Sequence, residues 1–195
     1  VAHYMKLSEK RFINYPNFKE TYTIGGSTPT KGQIFRNKFL ANTFKVIAKE
    51  GRKGFYEGPI AKTISEFIIE QGGFLSYDDL RSHKSDWIEP VSTNYRGFDI
   101  WELPPNSQGI AALQILNLLE KFDIRSMGFG SAEYIHHFVE AKKIAFADRA
   151  KYYADMDFNE IPVDYLISKE YADKRRSEIS KTRAARSVKA GEIEN

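Results

Sequence analysis

The chain has 195 residues, and its 29 Lys and Arg against 26 Asp and Glu leave a formal charge of +3, too small to argue for nucleic acid as a partner. Hydrophobic residues at 42% and charged residues at 28% describe an ordinary globular domain with enough chain for its own core. Cys is absent, which excludes disulfides, thiolate zinc sites and a Cys nucleophile within this chain.

No apolar run approaches the roughly 18 residues of a membrane-crossing helix, so no membrane partner is expected. Val1 opens no basic-then-apolar leader, and the chain starts without Met, as a processed product or fragment would. The compartment is left open. With 14 Phe and 11 Tyr, much of the buried area is expected to be aromatic.

Residues 1–36 read as irregular, with a short helix over 5–12. Gly25-Gly26-Ser27-Thr28-Pro29 is a turn cluster. It is not a phosphate loop: the Gly-Lys-Ser/Thr ending is missing, and no apolar strand leads into it. Residues 37–50 form an amphipathic helix, with Phe39, Leu40, Phe44, Ile47 and Ala48 at helical spacing, Asn37 capping its start and Gly51 its end. Pro59 opens the next helix, where a first-turn proline forfeits no hydrogen bond, and that helix runs to Gln71. Ser76-Tyr77-Asp78-Asp79 carries the capping pattern of a short helix ending near His83.

From residue 87 the period changes to two. Residues 87–95 and 98–103 read as strands joined at Tyr95-Arg96-Gly97 into a hairpin, with Pro90 forcing an edge position or an irregular start on the first. Pro104-Pro105 stops the second strand, Asn106-Ser107-Gln108-Gly109 turns the corner, and an apolar helix follows over 110–122. Ser131 caps a long helix to Ala154, with Glu133 in its first turn and Tyr134, Phe138, Ala141, Ala145, Phe146 and Tyr152 as its apolar stripe. Residues 157–166 read as a loop, and Ser168 caps a last helix to about Ser180. Residues 181–195 hold Lys181, Arg183, Arg186 and Lys189 among few apolar groups and read as a flexible tail.

Four features invite a chemical reading, and each has a simpler one. His136 and His137 are adjacent on a helix and so point about 100° apart; His136 and Glu140 could form a ligand pair, but a zinc site needs a third ligand that is not evident. Asp148, Arg149, Lys151 and Asp155 read as a solvated charged face on which Asp148 and Lys151 can pair, with a contact to a partner as the alternative. Ser107 sits where a nucleophile elbow would lie, yet only Gly109 of the two required glycines is present, because Pro105 occupies the other position. The basic tail lacks the interleaved aromatics of a stacking platform.

Several segments, in order, resemble the gamma-glutamyltransferase family of N-terminal-nucleophile hydrolases. They are Phe39-Leu40-Ala41-Asn42-Thr43-Phe44, Gly51 through Ala61 with its Gly-Phe-Tyr-Glu-Gly-Pro core, Gly72-Gly73-Phe74-Leu75-Ser76-Tyr77-Asp78-Asp79-Leu80, Tyr95-Arg96-Gly97, the Pro104-Pro105 corner, Leu113-Gln114-Ile115-Leu116-Asn117-Leu118-Leu119-Glu120, and Ala147-Asp148-Arg149. The corner, Pro104-Pro105-Asn106-Ser107, is closer to the acylase-like branch than to the glutathione-specific form.

The resemblance implies an α+β chain, mainly helical with one β-hairpin, that is part of a four-layer αββα fold. Residues 1–180 would be the C-terminal portion of the large subunit within a single domain, and residues 181–195 a flexible tail leading to the self-cleavage site. The nucleophile would be a Thr C-terminal to this chain, so no catalytic, substrate-binding or metal-binding residue is carried onto it, and no cofactor is expected. The implied partners are the small catalytic subunit of the same precursor and a gamma-glutamyl small molecule.

Overall fold

A computed structural model describes residues 1–193, in a chain that divides into two compact units, Val1–Ser85 and Asp86–Asn195.

The first unit runs α1 (Ala2–Phe12), α2 (Phe18–Tyr22), α3 (Lys38–Tyr56), α4 (Pro59–Glu70) and α5 (Tyr77–Ser82). α1 is longer than expected, and α2 falls where irregular chain was expected. Both gather around a run of rings, Phe12 with Tyr15 and Phe18, Phe18 with Tyr22, and Tyr22 with Phe35, whose centroids lie 5.4 to 6.4 Å apart. Ring-to-ring packing of this kind leaves no helical period for sequence reading to detect. Gly25 and Gly26 both take positive φ and close the Ile24–Ser27 bridge as a tight turn.

α3 starts where expected, with the Asn37 side chain accepting from Leu40 N. Its first stretch ends at Gly51, as expected. That glycine breaks the helix at φ 59° and ψ −143°, and helix resumes to Tyr56. α5 carries the expected reciprocal cap: Ser76 Oγ accepts from Asp79 N at 3.2 Å, and Asp79 Oδ2 accepts from Ser76 N at 2.8 Å.

The second unit opens with β1 (Val91–Tyr95) and β2 (Phe98–Glu102), antiparallel, with Val91 opposite Glu102 and Tyr95 opposite Phe98. β1 begins only after Pro90, which cannot donate to a ladder. Arg96 at φ 53° and Gly97 at φ 91° make the two-residue turn whose twist matches the strands. Arg96 is unusual there, and its guanidinium explains it by donating to the carbonyls of Glu120 and Phe122.

α6 (Gly109–Leu119), α7 (Ile124–Met127), α8 (Ala132–Tyr152), α9 (Val163–Leu166) and α10 (Lys169–Arg176) complete the unit. The apolar helix ends at Leu119, three residues early. Arg96 and Arg176 donate to the main-chain carbonyls at its end, and the Asp123 side chain then caps α7. Pro162 starts α9 inside the expected loop. Gly109 is required at the corner by close approach, because a Cβ there would lie 2.6 Å from Glu102 Oε2 and 2.8 Å from Leu103 O.

One core cluster joins Ile110 and Leu113 of α6 to Ile161, Leu166 and Tyr171. A second joins Leu118 and Leu119 to Ala141, Ile144 and Ile179. The expected stripe of α8 is corrected here. Phe138 is 44% exposed and Phe146 37%, while the buried face is His137, Glu140, Ala141, Ile144, Ala145 and Asp148. The small Ala141 and Ala145 let α6 come close, and Phe146 instead lies beneath the cations of Lys142 and Arg149.

The expected tail spans 181–195, of which 194–195 lie outside the described residues. The described residues 181–193 take no regular secondary structure, but Val188 and Ile193 pack on the core clusters and Gly191 is buried. Side chains of α8 and α10 bind their main chain. The α+β expectation, mainly helical with a single hairpin among the described residues, is what the structure shows.

Candidate functional site

Ser107 is fastened to the corner. Its Oγ lies 3.3 Å from Leu103 O and from Pro104 O, and accepts from Gly109 N at 3.3 Å. The hydroxyl is bonded within the turn.

His136 and His137 diverge. His136 Nε2 meets Ser180 O at 2.6 Å, whereas His137 is buried, with Nδ1 on Glu133 O and its ring edge-on to Phe122. Glu140 joins neither; it pairs with Lys143 at 2.6 Å and accepts from Ala185 N. Burial alone raises the Glu140 carboxyl, but the bonds from Lys143 and Ala185 outweigh it and hold the group below its ordinary value. Among the described residues no three metal-ligating side chains converge.

The charged face of α8 is where sequence reading erred most. Asp148 is not solvated; its exposure is 0%. It accepts from Gln114 Nε2 at 3.0 Å and from Gly191 N at 2.8 Å, and Arg175 stands 3.7 Å away. Lys151 lies instead over the ring of Tyr152. The Tyr153 hydroxyl donates to Gln114 Oε1, and the Tyr152 hydroxyl to Gly191 O. Burial first, and the Asp148 charge second, push the Tyr153 and Tyr171 hydroxyls well above the usual phenol range. These groups form a buried polar knot, and the enclosed cavity beside it, about 10 Å³, has room for no substrate.

A second knot lies at the other end of α6. Asn117, fully buried, accepts from Thr93 Oγ1 at 2.7 Å and from Lys169 Nζ at 2.7 Å, and donates to Ile167 O at 2.6 Å. It ties the hairpin to the start of α10. Sequence reading missed Gln114 and Asn117, and the available signal was two amides three residues apart inside an otherwise apolar helix.

The family profile of gamma-glutamyltranspeptidase matches residues 1–194, and the chain belongs to that family. It is 39% identical over 164 residues to the glutathione hydrolase-like YwrD proenzyme of Bacillus subtilis, covering 84% of this chain and 31% of that protein. It is 39% identical over 161 residues to the acylase ACY 1 proenzyme of a Pseudomonas species, covering 82% of this chain and 29% of that protein. The solved gamma-glutamyltranspeptidase of Helicobacter pylori superposes with a TM-score of 0.84 at 36% identity, over 97% of this chain and 55% of that chain. The chain thus spans about a third of the length of the curated relatives it matches.

Proposed function

We propose that this chain is the C-terminal part of the large subunit of an enzyme that transfers or hydrolyses gamma-glutamyl groups. The observation that carries the reading is the family match over residues 1–194, in a chain whose one corner serine is committed to its own backbone. The nucleophile is then a Thr in a segment C-terminal to this chain, freed by self-cleavage of a precursor, with its amine as base. Its hydroxyl adds to the gamma-glutamyl carbonyl, the amine of the substrate leaves with the proton, and water or an acceptor amine resolves the ester. Main-chain N–H groups hold the oxyanion.

This chain's own part is scaffolding. It builds the helical layer and the hairpin on which the small catalytic subunit rests. A second reading, an acylase for another amide, is supported by the Pro104-Pro105-Asn106-Ser107 corner and by the likeness to the ACY 1 proenzyme. A reading from another class, a non-enzymatic helical interaction domain using the Asp148–Asp155 face and the basic tail, is not favoured, since Asp148 is buried.

The test is to express residues 1–195 joined to the reading frame that follows them. The expected result is a band that splits in two, a new N-terminal Thr, and nitroaniline release from a gamma-glutamyl anilide. Residues 1–195 alone should release none. Hydrolysis of an acyl cephalosporin amide without nitroaniline release would favour the acylase reading, and an uncut, inactive product would overturn both.

A further inference from the structure

We propose that α8 is a rail that grips the main chain of residues 180–191, and that this grip positions the polypeptide for self-cleavage of the precursor. The second half rests on the functional reading above. Five side chains of α8 reach the strap. His136 Nε2 meets Ser180 O, Glu140 accepts from Ala185 N at 3.1 Å, and Lys143 donates to Ala185 O at 2.7 Å. Asp148 accepts from Gly191 N at 2.8 Å, and Tyr152 donates to Gly191 O at 2.5 Å. Arg175 of α10 adds a bond to Lys189 O at 2.7 Å.

Three features set this apart from an ordinary surface loop. The first is that every one of these bonds goes to main chain, so the grip does not depend on the strap's own side chains. Lys181, Arg183, Arg186 and Lys189 all stay exposed, and none of the bonds above uses their side chains. The second is that the gripping carboxylates are buried, Glu140 at 2% and Asp148 at 0% exposure. A surface segment usually leaves its amides and carbonyls to water. Here buried charge is given over to them, and each carboxylate would be left short of a donor if the strap left.

The third is that the strap has one point of closest approach. A Cβ at residue 191 would lie 2.1 Å from Tyr171 Oη and 2.9 Å from Arg175 Nη1. Only glycine seats there, and both its N–H and its C=O are taken. The direction in which the chain leaves the helical core is therefore fixed at Gly191.

A fixed exit matters for an intramolecular cut. The Thr hydroxyl must add to the carbonyl carbon just before it; the C–N bond breaks, the nitrogen takes the hydroxyl proton, and water then hydrolyses the ester to a carboxylate and a free Thr. That addition needs its atoms within near-contact distance, and a loosely held strand samples such geometry rarely. His136, Glu140, Lys143, Asp148 and Tyr152 act as positioning residues, remote from the reacting atoms.

The experiment uses the full precursor with Gly191→Ala, which unseats the strap while leaving α8 intact, and Tyr152→Phe, which removes one bond at constant shape. Two readouts are taken: trypsin nicking after Arg186 and Lys189, and the rate of self-cleavage. Gly191→Ala should speed nicking and slow self-cleavage, each by roughly tenfold, while the fraction that does mature turns over with an unchanged kcat. Tyr152→Phe should move both rates the same way by less. Faster nicking with unchanged self-cleavage would overturn the positioning role alone, and unchanged nicking would overturn the rail. A wild-type precursor that never cuts itself would overturn the functional reading and the positioning role together, with nicking still reporting on the grip.

Discussion

The two units differ in what they bury. Among the described residues, Ala61 is the only buried hydrophobic residue of Val1–Ser85, while every other one belongs to Asp86–Asn195. The first unit is held by single polar contacts: the Ser76–Asp79 cap, the Tyr77 hydroxyl on Glu57 O at 2.7 Å, and the Thr28 hydroxyl on Glu9 at 2.6 Å. Its helices keep Phe39, Phe44 and Phe67 exposed. The second has two apolar clusters and two buried polar knots. Amphipathic helices alone do not make a core; a partner surface must cover the stripe.

The largest expected effect tests the knot. Asp148→Ala strands Gln114, Arg175 and Gly191 N in a dry site and should destabilise the second unit by about 3–5 kcal/mol in a denaturant titration. A loss well below 1 kcal/mol would mean that water reaches the site. Core truncation comes next. Leu113→Ala should cost about 2–5 kcal/mol, whereas Phe44→Ala, on the exposed stripe of the first unit, should stay within about 0.5 kcal/mol. Equal losses at the two positions would erase the contrast between the units.

Caps supply an internal control. Ser131 accepts from Tyr134 N in the second unit and Asn37 from Leu40 N in the first, so replacing either with Ala should cost about 1 kcal/mol irrespective of core. Helix content after each substitution, followed by circular dichroism, would show any difference.

The smallest effect is the response to acid. Bonds from the Ser76 main chain and hydroxyl hold Asp79 below its ordinary 3.8, and the Thr28 hydroxyl, then Lys6, hold Glu9 below its ordinary 4.5. Groups depressed in the folded state stabilise it above their unfolded values and stop doing so as pH falls through the folded ones. Amide exchange near α5 should therefore quicken only below about pH 4. Quickening already at pH 6 would point to a different group.

Most of the helices and the hairpin could be read because their signals are local. The Ser131, Ser168 and Asn37 caps, Pro59 in a first turn, and the Arg96-Gly97 reversal each act within a few residues. What escaped reading is non-local. Asp148 looked solvated because its partners, Gln114, Arg175 and Gly191, lie far away in sequence. Phe138 and Phe146 looked buried because hydrophobicity does not say which stripe α6 will choose. The contacts of residues 181–191 also escaped reading, because composition records side chains and these bonds go to main chain. The polar knots could be read only in part for the same reason: the buried amides and carboxylate went unnoticed, because their partners are brought together only by the fold.

The knot at Asp148 also sets an order of events during synthesis. Gln114, Asp148 and Arg175 emerge from the ribosome well before Gly191, the residue whose amide completes them. Until then a carboxylate and a guanidinium must keep their water, and α6, α8 and α10 cannot close fully around them. The core of the second unit therefore closes only once Gly191 has emerged: nascent chains arrested before Gly191 is free should stay protease-sensitive, and a few residues more should make them resistant.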